Sequence, residues 1–241
     1  MTSSTERCAL ITGASSGIGK ATAIAFAQAG IRLGLLSRNR AKLEEVAALT
    51  RHYGVEAKIY PIDLAEVDQV RERVAAIAAD LGSPDILVNS AGMGYTGALI
   101  ETPLGDWQQV LNLNLTSIFQ CIQAVLPLMR QRQRGTIINV ASIAGHETFP
   151  EWGAYCVSKF GLVALSQVLA AEERPYGIRV VSISPGSVHT PLWDTDTVHA
   201  DFDRAQMLTP EVVAQCILHT ALLPDSAVVK ELVLMPNAGT F

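Results

Sequence analysis

The run Cys8–Ala9–Leu10–Ile11–Thr12–Gly13–Ala14–Ser15–Ser16–Gly17–Ile18–Gly19 decides the architecture of the chain. Its apolar start, Cys8 to Ile11, fits a short strand buried on both faces. A Gly/Ser turn comes next, and then an Ala-rich helical pattern from Lys20 to Ala29, closed by Gly30 as a C-cap. Strand, glycine turn and helix are the context a dinucleotide site needs. Glycines let the backbone approach a pyrophosphate, and the helix N-terminus offers free N–H groups and the positive end of a dipole. Gly13, Gly17 and Gly19 are spaced G-x-x-x-G-x-G after Thr12; a glycine triplet alone would also fit a plain turn.

Outward from this run the pattern alternates. Strands are predicted over Arg32–Leu36, Val55–Tyr60, Asp85–Val88, Thr136–Val140, Ile178–Ile183 and Val228–Met235. Between them, helices are predicted over Ala41–Tyr53, Glu66–Leu81, Pro103–Arg130, Ala154–Arg174 and Pro210–Leu223. That alternation implies an α/β fold, a Rossmann-type doubly wound parallel sheet with helices on both faces. The 241 residues carry no repeat, linker or low-complexity segment, so residues 1–241 form a single domain.

Composition narrows the function classes. The chain is 49% hydrophobic and 17% charged, with a net charge of −5 and no long basic run, which argues against a nucleic-acid surface. Cys8, Cys121, Cys156 and Cys216 are widely spaced with no metal-ligand pattern, so no metal is expected and a reducing, cytoplasmic setting is. Residues Met1–Arg7 are polar and form no secretory segment. Val110–Met129 is interrupted by Asn112, Asn114, Gln120 and Gln123, too polar for a membrane span.

The chemistry gathers in Gly135–Gly161. Ser142 ends a predicted strand, where open α/β sheets place their ligands. Tyr155 and Lys159 are four apart on the next helix and share a face. A nearby ammonium favours the phenolate and is expected to lower a tyrosine pKa from about 10 into the range of a usable acid or base. The Ser142 hydroxyl would hold a carbonyl oxygen beside the phenol. The pair alone also fits an exposed tyrosine lying on a lysine stem.

Together the Thr12-led glycine turn and this Ser–Tyr–Lys stretch resemble the classical short-chain dehydrogenase/reductase family over nearly the whole chain. The resemblance implies a seven-stranded sheet in the order 3-2-1-4-5-6-7 and a homo-oligomer, often a homotetramer. It implies four catalytic residues, Asn114, Ser142, Tyr155 and Lys159. Asn114 matches through Leu113–Asn114–Leu115, and would hold a water that relays protons toward Lys159. Without the resemblance Asn112 would serve equally.

The resemblance also implies a cofactor site. Gly13, Ser15, Ser16, Gly17, Ile18 and Gly19 would cradle the pyrophosphate, and Asp63–Leu64 would meet the adenine, although Asp63 also fits a turn aspartate. Asn89, Ala91 and Gly92 would pass close to the cofactor, with Ser90 a departure from the more usual Asn. Pro185, Gly186, Val188 and Thr190 would meet the nicotinamide, whose ribose Tyr155 and Lys159 would hold. Positions 36–40 lack a carboxylate and carry Ser37, Arg38 and Arg40. A guanidinium accommodates a 2′-phosphate, which predicts NADP(H) over NAD(H).

A substrate lid is expected around residues 189–207, with Trp193, Phe202, Asp194, Asp196, Asp201 and Asp203; a solvated surface helix is the alternative. His146, Glu147 and Trp152 are expected at the pocket rim, and His189 near the cofactor or lid. The activity implied is interconversion of a carbonyl and a secondary alcohol, on a small ketone or a 3-oxo or 3-hydroxy acid. Reduction of a 3-oxoacyl carrier protein is the alternative, weakened by the ending Val233–Leu234–Met235–Pro236. A non-catalytic NADP-binding regulator is the reading from a different class.

Overall fold

The computed structural model describes residues 7–200 and 202–239; residues 1–6, Asp201 and residues 240–241 lie outside them. Seven strands form one parallel sheet: β1 (Cys8–Thr12), β2 (Arg32–Ser37), β3 (Ala57–Pro61), β4 (Ile86–Asn89), β5 (Gly135–Val140), β6 (Ile178–Pro185) and β7 (Glu231–Leu234). Their order is β3-β2-β1-β4-β5-β6-β7, as expected. β1, β4 and β5 are buried along their whole length, which is why they are continuous apolar runs rather than alternating ones.

Helices cover both faces. On one lie α1 (Gly17–Gln28), α2 (Arg40–Arg51) and α7 (Pro210–Leu222). On the other lie α3 (Val67–Asp80), α4 (Leu104–Leu111), α5 (Ser117–Arg132) and α6 (Gly153–Glu173). The core divides accordingly, because successive strand residues point to opposite faces. Ala9, Ile11, Leu33 and Leu35 pack with Phe26 and Ile217. Leu10, Leu36 and Leu87 pack with Ile118, Ile122 and Leu162.

β1 hydrogen-bonds β2 on one side and β4 on the other, so the connections diverge there and open a crevice at the carboxyl ends of the strands. The sequence predicted one helix over Pro103–Arg130. The structure instead interrupts it with a π turn, Asn112–Thr116, between α4 and α5. β7 is shorter than expected, starting at Glu231, and β6 longer, reaching Pro185. Within Leu104–Arg132 and Gly153–Tyr176, 18-residue windows reach mean hydropathies of 1.3 and 1.4, long and apolar enough to cross a membrane by length and composition, a test that the core helix of a sheet protein also passes. Both pack on the sheet, where Ile118, Val125, Leu162 and Leu169 join the core.

Candidate active site

The turn after β1 is shaped by what cannot fit. Gly13 has φ +66°, and a Cβ there would sit 2.9 Å from the Ala91 backbone. A Cβ on Gly19 would come within 2.3 Å of the Gly13 carbonyl oxygen. The first and last glycines therefore let β1, the head of α1 and the end of β4 crowd together. Thr12 completes this junction, its Oγ1 accepting from the Ser90 and Ala91 N–H groups at 3.0 Å each. Ser16 caps α1 without a side-chain bond, and the first turn carries no acidic residue, so the amide end of the helix is open to an anion. Thr190 faces the turn, 3.1 Å from where a Gly17 Cβ would lie.

Beyond β5, Ser142 caps a short 3-10 turn, Ile143–Gly145, by accepting from the Ala144 N–H at 3.1 Å. Its hydroxyl also hydrogen-bonds the Tyr155 phenol. α6 passes close by, since a Cβ on Gly145 would lie 2.9 Å from the Lys159 carbonyl oxygen. That approach brings Tyr155 and Lys159 to the mouth of β5, where Lys159 Nζ donates to the Val140 carbonyl at 2.9 Å. Nζ lies 5.6 Å from the Tyr155 ring centroid. Burial pushes the Lys159 pKa down from 10.5 to about 8. Burial also pushes the Tyr155 phenol up, against a smaller downward pull from its hydrogen bond with Ser142. The expected downward shift driven by the lysine is thus not what the structure shows; desolvation dominates.

Asn114 sits in the π turn, wholly buried. Its Oδ1 accepts from the Met93 N–H at 2.8 Å, and its Nδ2 donates to the Met93 carbonyl at 2.9 Å and to Ser158 Oγ at 3.1 Å. Ser158 Oγ in turn donates to the Tyr155 carbonyl at 2.7 Å. Asn114 therefore ties the Gly92–Met93 loop to the turn of α6 that bears Tyr155. Sequence reasoning missed Ser158, because a serine beside the tyrosine on a helix carries no signal of its own.

These elements enclose a cavity of about 320 Å³. Of the expected site residues, Ile18, Gly92, Ser142, Tyr155, Lys159, Pro185, Gly186, Val188 and Thr190 line it together. Ser187 lines it as well, with a buried hydroxyl that has no protein partner. Trp152, Trp193 and Phe202 form a wall: ring centroids are 5.4 Å apart for Tyr155–Trp152, 5.8 Å for Trp152–Trp193 and 5.2 Å for Trp193–Phe202, all edge to face. Trp193 Nε1 donates to the Val188 carbonyl at 2.7 Å. The segment expected as a lid is tied to the 94–97 loop, Thr96 N–H donating to Thr197 O and Thr197 Oγ1 to Gly94 O, each at 2.8 Å. It contains two short 3-10 turns, Pro191–Asp194 and Arg204–Gln206, rather than one surface helix.

Other expected residues fall elsewhere. Ser37, Arg38 and Asp63 lie at the outer ends of β2 and β3. Asp63 Oδ1 accepts from the Ala65 N–H at 2.9 Å, the bond of a turn aspartate, while Oδ2 lies 3.7 Å from Arg38 Nη1. Leu64 is packed in the core. Asn89 turns its side chain away from the cavity and donates to Asn139 Oδ1 at 2.8 Å. His146 does not reach the cavity; its Nε2 lies 3.0 Å from both Ser184 Oγ and Glu231 Oε1, beside the sheet edge. Glu147 and His189 are exposed and do not line it either.

A family model described as short chain dehydrogenase matches residues 7–200. Sepiapterin reductase of Chlorobaculum tepidum is 34% identical over 237 residues, covering 95% of this chain and 96% of that protein. Among solved structures, an alcohol dehydrogenase from the archaeon Thermococcus sibiricus, complexed with 5-hydroxy-NADP, matches with a TM-score of 0.88 at 27% identity, covering 97% of each chain. A metagenomic short-chain oxidoreductase in complex with NADP matches with a TM-score of 0.84 at 30% identity, covering 96% of this chain and 97% of that one.

Proposed function

The chain belongs to the short-chain dehydrogenase family, and from that premise we propose that it is an NADP(H)-dependent oxidoreductase interconverting a carbonyl and a secondary alcohol. One observation carries the reading: Ser142, Tyr155 and Lys159 meet on a cavity that opens over the glycine turn, at the point where the sheet connections diverge. The residues present fit the cofactor. The open amide end of α1 and the crowded glycines suit a pyrophosphate. Arg38, with a side chain 69% exposed and only a 3.7 Å ion pair to Asp63, is free to turn to a 2′-phosphate. The two NADP complexes among the matched structures support the same choice.

Held over the glycine turn and Arg38, NADPH would supply hydride chemistry at the carbonyl carbon, and the protein's own residues handle the oxygen. Ser142, one lone pair taken by the Ala144 N–H, would donate a hydrogen bond, not its proton, to the carbonyl oxygen and steady the charge developing there. Tyr155, held as a neutral phenol by burial, gives the proton that completes the hydroxyl. Lys159, poised to lose a proton near pH 8, stands behind it as the next donor. Because Asn114 Oδ1 is committed to Met93, a relay water there falls to the main-chain carbonyl of Asn114. Asp63–Leu64 and the backbone of Asn89 to Gly92 border the remaining cofactor path, while Ser37 shares the β2 end with Arg38. The segment 189–207 closes the cavity as a lid, and the enzyme self-associates as a dimer or tetramer.

The test is NADPH and NADH oxidation by purified protein over a panel of ketones, with wild type and Tyr155→Phe. The variant is expected to bind NADPH normally and to lose about 10²–10⁴-fold in kcat. Near-normal turnover by the variant overturns the role of Tyr155, and a preference for NADH overturns the cofactor. Tight NADPH binding with no turnover of any ketone favours the non-catalytic regulator.

A further inference from the structure

We infer that the carbonyl compound taken by this cavity is an aryl or arylmethyl ketone, its ring lying on the Trp152–Trp193–Phe202 wall. The inference rests on the reductase reading above. The wall starts at the reacting group itself: Trp152 stands edge to face with Tyr155 at 5.4 Å, and Trp193 and Phe202 extend the row outward. A carbonyl presented to Tyr155 and Ser142 thus has aromatic surface beside it, within one or two bonds of its carbon.

The wall is built rather than incidental. Trp152 comes from the head of α6, and Trp193 and Phe202 come from the lid. Trp193 is fixed in orientation by its 2.7 Å hydrogen bond to the Val188 carbonyl. That bond satisfies the indole N–H, so what Trp193 offers the cavity is ring surface. Fixed aromatic faces and edges favour a second π system through offset or edge-to-face contact, which a saturated ring of equal size does not make.

Charge points the same way. Among the described residues lining the cavity, Lys159 is the sole charged side chain, and its ammonium is committed to the Val140 carbonyl. The Arg204 guanidinium lies 6.0 Å from the Trp193 ring centroid but is outside the lining and paired with Asp194 at 2.8 Å, so a carboxylate or a phosphate-bearing tether would find no uncommitted guanidinium in the cavity to replace its water, and burying it unpaired is costly. This disfavours both 3-oxo acids and carrier-protein thioesters as substrates. A volume of about 320 Å³, shared with the nicotinamide end of the cofactor, suits one or two fused rings. The redox balance is unchanged: one hydride to carbon, one proton to oxygen, NADPH oxidised to NADP⁺.

The experiment compares initial rates of NADPH oxidation with phenylacetone, cyclohexylacetone and acetoacetate. The first two place a ring of similar size one methylene from a methyl ketone of similar intrinsic reactivity. Phenylacetone is expected to exceed cyclohexylacetone by about tenfold or more in kcat/KM, and acetoacetate to be the poorest. Trp193→Leu should cut the phenyl-to-cyclohexyl ratio several-fold, and Trp193→Phe should keep most of it. Equal rates for the two ring ketones, or acetoacetate as the best substrate, would sink the aryl inference while leaving the reductase reading standing. Failure of all three, and of simple ketones, with NADPH removes both.

Discussion

Lys159 is 5% exposed and carries its ammonium into the protein with a hydrogen bond to the Val140 carbonyl. Its pKa falls from 10.5 to about 8, while an unfolded chain keeps the ordinary value. Between those values the unfolded state binds more protons, so stability rises with pH from about 8 to about 10.5 and the burial cost is constant below that window. A gap of this size corresponds to about 3 kcal/mol at most. Urea unfolding of wild type and Lys159→Met at pH 7.5, 9 and 10.5 should show a difference that shifts toward the wild type as pH rises. A constant difference would refute the assignment. That Lys159 and Tyr155 share a helix face was legible from their spacing of four, but their role was legible only with the glycine turn and the resemblance beside them. The direction of the Tyr155 shift was not, because desolvation depends on neighbours such as Trp152 that only the fold brings into place. The position of His146 was hidden for the same reason: its place in the chain gives no sign of Ser184 and Glu231.

Among the elements, the strands and the glycine turn were legible from apolar runs and punctuation, since a buried parallel strand and a crowded turn each demand particular residue types. The π turn was not. Asn112 and Asn114 sit in a pattern that a regular helix accommodates, and only the packing shows which one is swallowed. Asn114 satisfies both main-chain groups of Met93, whereas Asn112 is half-buried. Asn114→Ala should therefore lower stability by about 1–3 kcal/mol for each buried group left unpaired, and Asn112→Ala by clearly less. Chemical denaturation of the two variants decides it: equal losses would show that the Asn114–Met93 contact does not hold the loop. The variant should also loosen the position of Tyr155, because the Asn114–Ser158–Tyr155 chain of bonds is cut. The aromatic wall was equally hidden, since its rings come from two elements far apart in sequence.

For the whole molecule, the strand order came from resemblance and not from any property of a single segment, because pairing between parallel strands leaves no local mark. The self-association proposed above would use one helix face. Val157, Phe160 and Val168 are 45%, 41% and 56% exposed and recur at helical spacing along α6, and Phe119 on α5 is 43% exposed. Apolar side chains aligned this way on a surface would suit a contact with another protein, and a second copy of the same face is the simplest partner. The opposite side of α6 holds Ser158, Lys159 and Leu162 against the core, so an interface on the outer stripe would brace the helix that positions Tyr155. Light scattering on a sizing column should give a multiple of the 25.8 kDa chain mass. Phe160→Glu combined with Val168→Glu should bring it to one chain mass with the helical circular dichroism retained, because both side chains already face water in the single chain. Turnover in that variant should fall together with the mass. A wild type that runs as a single chain at tens of micromolar, or a double variant that keeps its assembly, would show that this face is not the interface.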